Sequence, residues 1–146
     1  MNRIYDIATD KDLADINSLR SEIGTGPASW SLDLNDIKKT DNHIIFLDRN
    51  NNQIIGYLSL HSGRSFQSDI EAEFEVFVHP QYRRKGIGTR LINDSLQYSK
   101  DCSKLKRLIA KVLRKNDASI RMCQKVGFCV LSEDKRGTIL FKDVER

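Results

Sequence analysis

Alternating apolar and polar residues mark a strand near the middle of the chain. From Glu71 to Val78 the sequence reads EAEFEVFV, in which glutamate or Phe77 alternates with an apolar residue. A period of two is typical of a strand that buries one face. His79-Pro80 follows directly, and because proline has no N–H, we expect the strand ladder to end there.

A basic, glycine-containing segment and a helix pattern follow this strand. Arg83 to Thr89 reads RRKGIGT, and the apolar residues that start within it recur at helical spacing: Ile87, Leu91, Ile92 and Leu96. The first N–H groups of a helix have no internal partner and carry partial positive charge, so they bind anions. Glycine lets the backbone approach a ligand closely. The pattern therefore predicts a phosphate-binding helix start; the alternative is an ordinary helix start with basic residues that aid solubility.

Six further strands and three further helices are predicted along the rest of the chain. The strands are Arg3–Ala8, His43–Leu47, Gln53–Leu60, Arg107–Leu113, Phe128–Leu131 and Thr138–Val144. The helices are one after the capping-box sequence Thr9-x-x-Asp12, a short one over Ser31–Thr40, and one over Asp117–Lys125. Asp48–Asn52 is predicted as the turn of a hairpin. The elements indicate a mixed α/β fold in a single domain over residues 1–146.

Composition and charge narrow the class of protein. The chain has 146 residues, 39% of them hydrophobic and 30% charged, with a net charge of +4, as in ordinary globular domains. No apolar run approaches the ~20 residues that span a membrane, and no secretory signal is evident. Three cysteines with no C-x-x-C pair favour a reducing compartment and argue against a metal site. We therefore expect a cytoplasmic protein without a metal or a membrane partner.

The basic residues cluster in two places, Arg83–Arg90 and Lys100–Lys115. Such clusters serve either a nucleic-acid surface or a pocket for a ligand with several phosphates. No aromatic interleaving or RNA-binding motif accompanies them. The pocket is therefore the preferred interpretation, and no nucleic-acid partner is expected.

Two ordered motifs carry a resemblance to a known family. Arg83 to Gly88 reads R-x-x-G-x-G after a strand that ends V-x-V-x-P, and it fits neither a Walker loop nor a dinucleotide fingerprint. Asn116–Phe128 (NDASIRMCQKVGF) is similar to N-x-x-[AS]-x-x-x-Y-x-x-x-G-F. Together they resemble the GNAT superfamily of N-acetyltransferases over essentially the whole chain. This resemblance implies a mostly antiparallel sheet of six to seven strands, splayed between the fourth and fifth strands and flanked by about four helices.

The resemblance also implies an activity. It indicates an acetyl-CoA-dependent N-acetyltransferase, in which the primary amine of a small molecule attacks the thioester directly and acetyl-CoA is the co-substrate. Two alternatives stay open: a protein N-terminal or lysine acetyltransferase, and a non-catalytic acyl-CoA-binding module. Homodimers occur in the family, so a second copy is a candidate partner. By resemblance, Trp30 lies where it either contacts the acceptor or packs in the fold.

By the same resemblance, the donor site is built from the strand end, the basic loop and the second motif. Backbone N–H groups of the loop would hold the pyrophosphate, and the pantetheine arm would lie along the strand. A strand N–H near Phe77 or Val78 would polarise the thioester carbonyl, and Asn116 would bind the arm. The implied cofactor residues are Val76, Phe77, Val78, Arg83, Arg84, Lys85, Gly86, Ile87, Gly88, Thr89, Asn116 and Ser119.

Glutamates on one strand face are the candidate bases. Glu71, Glu73 and Glu75 follow one another at ~6.5–7 Å along the strand, and like charges that close raise one another's pKa and attract a cation. Glu73-x-x-Val76-Phe77-Val78 resembles the E-x-x-V-Y-V of the phosphinothricin acetyltransferase branch, in which the glutamate is the proposed base. Glu73 is therefore the first candidate and Glu75 the second, and a solvated polar face is the alternative.

The general acid is the point at which this sequence departs from the family. Cys123 occupies the position of the usual tyrosine in the second motif. A thiol titrates near ~8.5 and a tyrosine near ~10, so Cys123 could protonate the leaving thiolate, although its reach is shorter. The alternative is a small packed residue without a chemical role.

Overall fold

A six-stranded mixed sheet forms the centre of the structure. A computed structural model describes residues 5–23, 39–113 and 116–146. The strands are β1 (His43–Asn50), β2 (Gln53–His61), β3 (Glu71–Val78), β4 (Arg107–Leu113), β5 (Cys129–Glu133) and β6 (Gly137–Asp143). They lie in the order β1-β2-β3-β4-β6-β5. All neighbours are antiparallel except β3 and β4, which confirms the predicted fold class.

Within the described residues, three helices cover the two faces of this sheet. They are α1 (Leu13–Ile23), α2 (Ile87–Cys102) and α3 (Asp117–Val126). Leu91 and Ile92 of α2 share a buried cluster with Phe46 and Leu58, whereas Ile16 of α1 packs in a second cluster with other residues of β1 and β2. Successive strand residues point to opposite faces. Thus α2 and α3 lie on one face of the sheet and α1 lies on the other.

The parallel pairing of β3 with β4 is short. Glu71–Phe74 pairs with Arg107–Ala110, and the register ends there. Residues 75–78 of β3 continue to pair with β2 only. The sheet is therefore splayed at the predicted place. Beyond Phe74, the backbone N–H and C=O groups on the β4 side of β3 are not paired with β4.

The first hairpin differs from its predicted form. The predicted turn, Asp48–Asn52, is in fact a two-residue turn at Asn51 and Asn52, whose φ values are 51° and 71°. Asparagine tolerates this left-handed conformation, which two-residue hairpin turns require. Asp48 and Arg49 therefore belong to β1, with a register shift between them.

The N-terminal predictions are only partly covered by the described residues. Thr9 N–H donates to the Asp12 carboxylate over 2.9 Å, as in the predicted capping box. The predicted first strand is represented by a single bridge from Ile7 to Phe46. The predicted helix over Ser31–Thr40 and the role of Trp30 lie outside the described residues, apart from 39 and 40. Of the helices described, none is long and apolar enough to cross a membrane.

Candidate functional site

A cleft of about 780 Å³ opens where β3 separates from β4. It brings together the end of β3, the basic loop, the start of α2 and the first turns of α3. All the cofactor residues expected from the sequence lie along it except Lys85. Five further residues line it that the sequence did not single out: Tyr82, Ala118, Arg121, Met122 and Lys125.

The basic loop is folded so that its backbone faces the cleft. Arg84 and Gly86 have φ values of 66° and 81°, and for a residue other than glycine this left-handed conformation costs about 1–2 kcal/mol. The first hydrogen bond at the start of α2 runs from the N–H of Arg90 to the carbonyl of Gly86 over 2.9 Å. The N–H groups of residues 87–89 therefore precede the helical ladder and are available to an anion.

Gly88 lies at the contact between α2 and α3. A Cβ at this position would lie 2.3 Å from the Met122 sulfur and 3.7 Å from a methyl carbon of Val78. The absence of a side chain lets α3 approach the first turn of α2, which brings the walls of the cleft together. The second glycine of the loop therefore serves the packing of two helices, whereas Gly86 serves the turn.

The hydrogen-bond alternation of β3 decides which backbone groups face the cleft. His79 N–H donates to the Ile55 carbonyl over 2.7 Å, and in an antiparallel pair every second residue bonds to the same neighbour. Phe77, directly opposite Tyr57, therefore directs its N–H and carbonyl to β2. Val76 and Val78 direct their N–H and carbonyl groups to the opposite side of β3, where β4 no longer pairs. Of the two N–H groups considered for polarising the thioester, that of Val78 faces the cleft and that of Phe77 does not.

The end of β3 is held by contacts on both sides. Arg83 Nε donates to the Val78 carbonyl over 3.2 Å. On the other face, the Phe77 ring stacks on Tyr57 with the centroids 4.9 Å apart, and Arg20 from α1 donates to the Tyr57 hydroxyl over 2.7 Å. Burial raises the pKa of Tyr57 to about 12, although Arg20 partly opposes this rise. Tyr57 thus stays protonated, and neither it nor Arg20 was singled out from the sequence.

The two candidate bases lie in different electrostatic surroundings. Glu73 forms an ion pair with Lys111 at 2.8 Å, and the Nε2 atom of His61 lies 3.7 Å from its carboxylate. Glu75 lies opposite Ser59 of β2 and is exposed. Among the residues that the structure describes, no cation lies within ion-pair distance of Glu75. Glu75 also directly precedes the stretch of β3 that faces the cleft.

Asn116 caps the helix that forms the second wall. Its Oδ1 accepts a hydrogen bond from Ser119 N–H over 3.3 Å, and both residues line the cleft. An N-cap of this kind stabilises a helix by about 1 kcal/mol. The asparagine and serine of the second motif therefore form the start of α3, and the cap leaves the amide nitrogen of Asn116 as a donor.

Comparisons with known proteins agree with this architecture. The model of the Acetyltransferase (GNAT) family matches residues 3–128. The chain belongs to the GNAT family.

Relatives of this GNAT protein include enzymes that act on amino acids. The L-amino acid N-acyltransferase MnaT of Escherichia coli is 30% identical over 90 residues, which are 61% of this chain and 52% of MnaT. The L-methionine sulfoximine/L-methionine sulfone acetyltransferase of Salmonella typhimurium matches with the same identity and coverage. The chain spans about half the length of these curated relatives. Both are consistent with the phosphinothricin acetyltransferase-like branch expected from the sequence.

A solved acetyltransferase structure matches the whole chain. The acetyltransferase YncA of Salmonella typhimurium, determined with its cofactor acetyl-CoA, superimposes with a TM-score of 0.78 and 21% identity. The match covers 100% of this chain and 96% of YncA. At this identity the match supports the GNAT fold of the chain.

Lys85 and Cys123 are not among the residues that line the cleft of this GNAT domain. The Lys85 ammonium lies 5.5 Å from the centroid of the Tyr82 ring. Cys123 is only 2% exposed and belongs to the core cluster that contains Phe128. Burial raises the pKa of the Cys123 thiol from 9.0 to about 11. Its surroundings are those of a packed residue, and its role as general acid stays a prediction.

The buried thiol predicts a pH dependence of stability. Because its pKa is higher in the folded than in the unfolded chain, its contribution is complete below pH 9 and is lost as the pH rises towards 11. In this interval the thiol should lower the unfolding free energy by about 1.4 kcal/mol per pH unit. Urea denaturation from pH 8 to 11 should show a steeper decline for the wild type than for Cys123→Ala. If the unfolding free energies of the two proteins fell equally steeply with pH, the Cys123 thiol would not be the cause of the decline.

In the part of the chain that the structure describes, no three His, Cys, Asp or Glu side chains are grouped to hold a metal ion.

Proposed function

We propose that this protein is an acetyl-CoA-dependent N-acetyltransferase that acetylates the primary amine of a small molecule. The observation that carries the proposal is the backbone edge of β3 at Val76 and Val78, with which β4 does not pair, beside the N-terminus of α2 in a cleft of about 780 Å³. An extended ligand arm can pair with such an edge as an added strand. An anionic group can bind at the helix start beside it. A thioester of coenzyme A has both parts.

Backbone groups hold the donor and polarise its carbonyl. The N–H groups of residues 87–89, with Arg83 and Arg84, bind the pyrophosphate. The N–H of Val78 donates to the thioester oxygen and stabilises the negative charge that develops there when the amine attacks. The stacked ring of Phe77 and the bond from Arg83 to the Val78 carbonyl keep this N–H in position, so little reorganisation is needed during the reaction.

Glu75 is the proposed base. An acceptor amine arrives largely as an ammonium ion and must lose a proton before it can attack. The carboxylate of Glu73 is engaged by Lys111 and His61, whereas that of Glu75 is open to an incoming cation. Glu73 is retained as the second candidate. The departing thiolate takes its proton from water or, if the packing opens, from Cys123.

The proposed acceptor is an amino acid or a close analogue. The names of the two relatives, an L-amino acid N-acyltransferase and a methionine sulfoximine acetyltransferase, support this class. Polyamines, peptides with a free N-terminus and lysine side chains are the other amines to compare. A protein that binds acetyl-CoA and acetylates none of them would be an acyl-CoA-binding module.

Calorimetric titration with acetyl-CoA tests the donor site first. We expect micromolar affinity for acetyl-CoA and much weaker binding of ATP, which has a similar charge but no pantetheine arm to pair with β3. Release of free CoA thiol is then followed with free amino acids, spermidine and a peptide as acceptors. Equal affinities for ATP and acetyl-CoA would show that the basic loop is an unspecific anion site, and the proposed function would fail.

A further inference from the structure

Two basic side chains of α3 line the cleft without a partner among the described residues. Arg121 and Lys125 are four residues apart and so lie on one face of the helix; both are exposed. Neither takes part in an ion pair or hydrogen bond with any residue in 5–23, 39–113 or 116–146. Even Asp117, one turn before Arg121, does not pair with it. Elsewhere, Lys111 pairs with Glu73 at 2.8 Å and Arg90 pairs with Asp48 at 3.5 Å.

The packing of α3 places these two cations beside the phosphate-binding loop. Met122 reaches the position at which Gly88 would carry a Cβ, and its helical neighbour Arg121 lines the same cleft as the α2 N-terminus. Lys125 follows about 6 Å further along the helix axis. The loop and α3 therefore form opposite walls, each of which carries unpaired positive charge towards the same space.

The charges of the two walls match two separate phosphate groups. The start of α2 with Arg83 and Arg84 suits a diphosphate bridge, which carries two negative charges. A phosphate monoester carries nearly two further negative charges at pH 7 and calls for about two more cations. In coenzyme A this monoester is on the 3′ carbon of the ribose whose 5′ carbon bears the diphosphate, so the two groups are a few ångströms apart.

We propose that Arg121 and Lys125 form a subsite for the 3′-phosphate of coenzyme A. This subsite lets the protein select acetyl-CoA over acetyl-3′-dephospho-CoA. The inference rests on the proposed donor, but its test compares two donors that share the thioester, the pantetheine arm and the diphosphate. Its outcome is therefore separate from that of the enzyme assignment.

The test is calorimetric titration of the wild type, Arg121→Gln, Lys125→Gln and the double variant with both donors. We expect the wild type to bind acetyl-CoA at least about tenfold more tightly than the dephospho compound, as charge-assisted hydrogen bonds imply. Each single variant should lose part of this ratio, and the double variant should bind both donors equally. Affinity for the dephospho compound should stay the same in all four proteins.

Lys135→Gln is the matched control. Lys135 is exposed on the turn between β5 and β6 and is not among the cleft residues, so this variant has the same change in net charge and should keep the wild-type ratio. A wild type that binds both donors equally well overturns the subsite and leaves the proposed function intact. A ratio that survives in the double variant, or that falls as far in Lys135→Gln, also overturns it. If the wild type binds neither donor, the proposed function and the subsite are both wrong.

Discussion

Replacing Glu75 with glutamine is expected to lower kcat by about a hundredfold, within the usual range for loss of a general base. Glutamine keeps the shape of the side chain but can neither attract an ammonium ion nor accept its proton. The loss should shrink as the pH rises, because a growing fraction of the acceptor is then already unprotonated. Initial rates from pH 6 to 10 at saturating acetyl-CoA, with the best acceptor amino acid, measure both effects.

Glu73→Gln is the matched comparison, since it makes the same change two residues earlier on the same face. Because Glu73 is bound to Lys111 at 2.8 Å, its loss should change the stability of the sheet more than the rate of the reaction. If Glu73→Gln instead shows the hundredfold loss and its rescue at high pH, the base is Glu73, as the sequence motif alone suggested. If both variants keep the wild-type rate, neither glutamate is the base. Unchanged affinity for acetyl-CoA in both variants separates a catalytic effect from damage to the donor site.

Gly137→Ala is expected to lower the free energy of unfolding by about 3 kcal/mol, at the upper end of ordinary overpacking costs. A Cβ at this position would lie 2.0 Å from the carbonyl oxygen of Val112 and 3.1 Å from the Cα of Leu113. These atoms belong to the backbone of β4, so no flexible side chain can move aside. Strands β4 and β6 would have to separate where they pair, at Leu113 and Gly137. Urea denaturation measures the change.

Gly63→Ala provides the reference for that measurement. Gly63 has ordinary backbone angles, and a Cβ there meets nothing within 4 Å, so its change in stability should be within about 0.5 kcal/mol. Similar stabilities for the two alanine variants would mean that β6 is not held against β4 as the structure shows.

Local patterns predicted the elements around the cleft because each pattern contains its own boundary. Strict alternation and a following proline fixed β3 at Glu71–Val78, the bounds that the structure gives. The predicted hairpin turn was too long, because a run of polar residues does not show where pairing stops. Arg49 belongs to β1, where its side chain binds Asp6 at 2.7 Å and Asp12 at 2.9 Å. These partners are distant in sequence, so no local pattern reveals them.

Which groups point into the cleft could not be predicted from β3 or α3 alone. The choice between the N–H groups of Phe77 and Val78 depends on the register of β3 against β2, which is set by contacts between strands. The rotation of α3, which brings Arg121 to the cleft and Cys123 to the core, depends on how this helix packs against the rest of the fold. In both cases the residue types were visible in the sequence, but their direction was a property of the assembled sheet.

The alternation along β3 has a consequence for how such a protein can change over time. Under the proposed function, the donor is bound by backbone atoms of Val76 and Val78, and most substitutions at those positions would preserve these atoms. The acceptor is recognised by side chains of the alternate strand positions, such as Glu75, and any substitution there alters the recognising group. Substitutions at positions such as 75 can therefore change which amine is preferred. The same acyl donor continues to bind, because its contacts are to the backbone of residues 76 and 78. In a saturation library of this strand, proline should be the substitution at position 78 that abolishes acetyl transfer, whereas position 75 should sort variants by the amine that they accept.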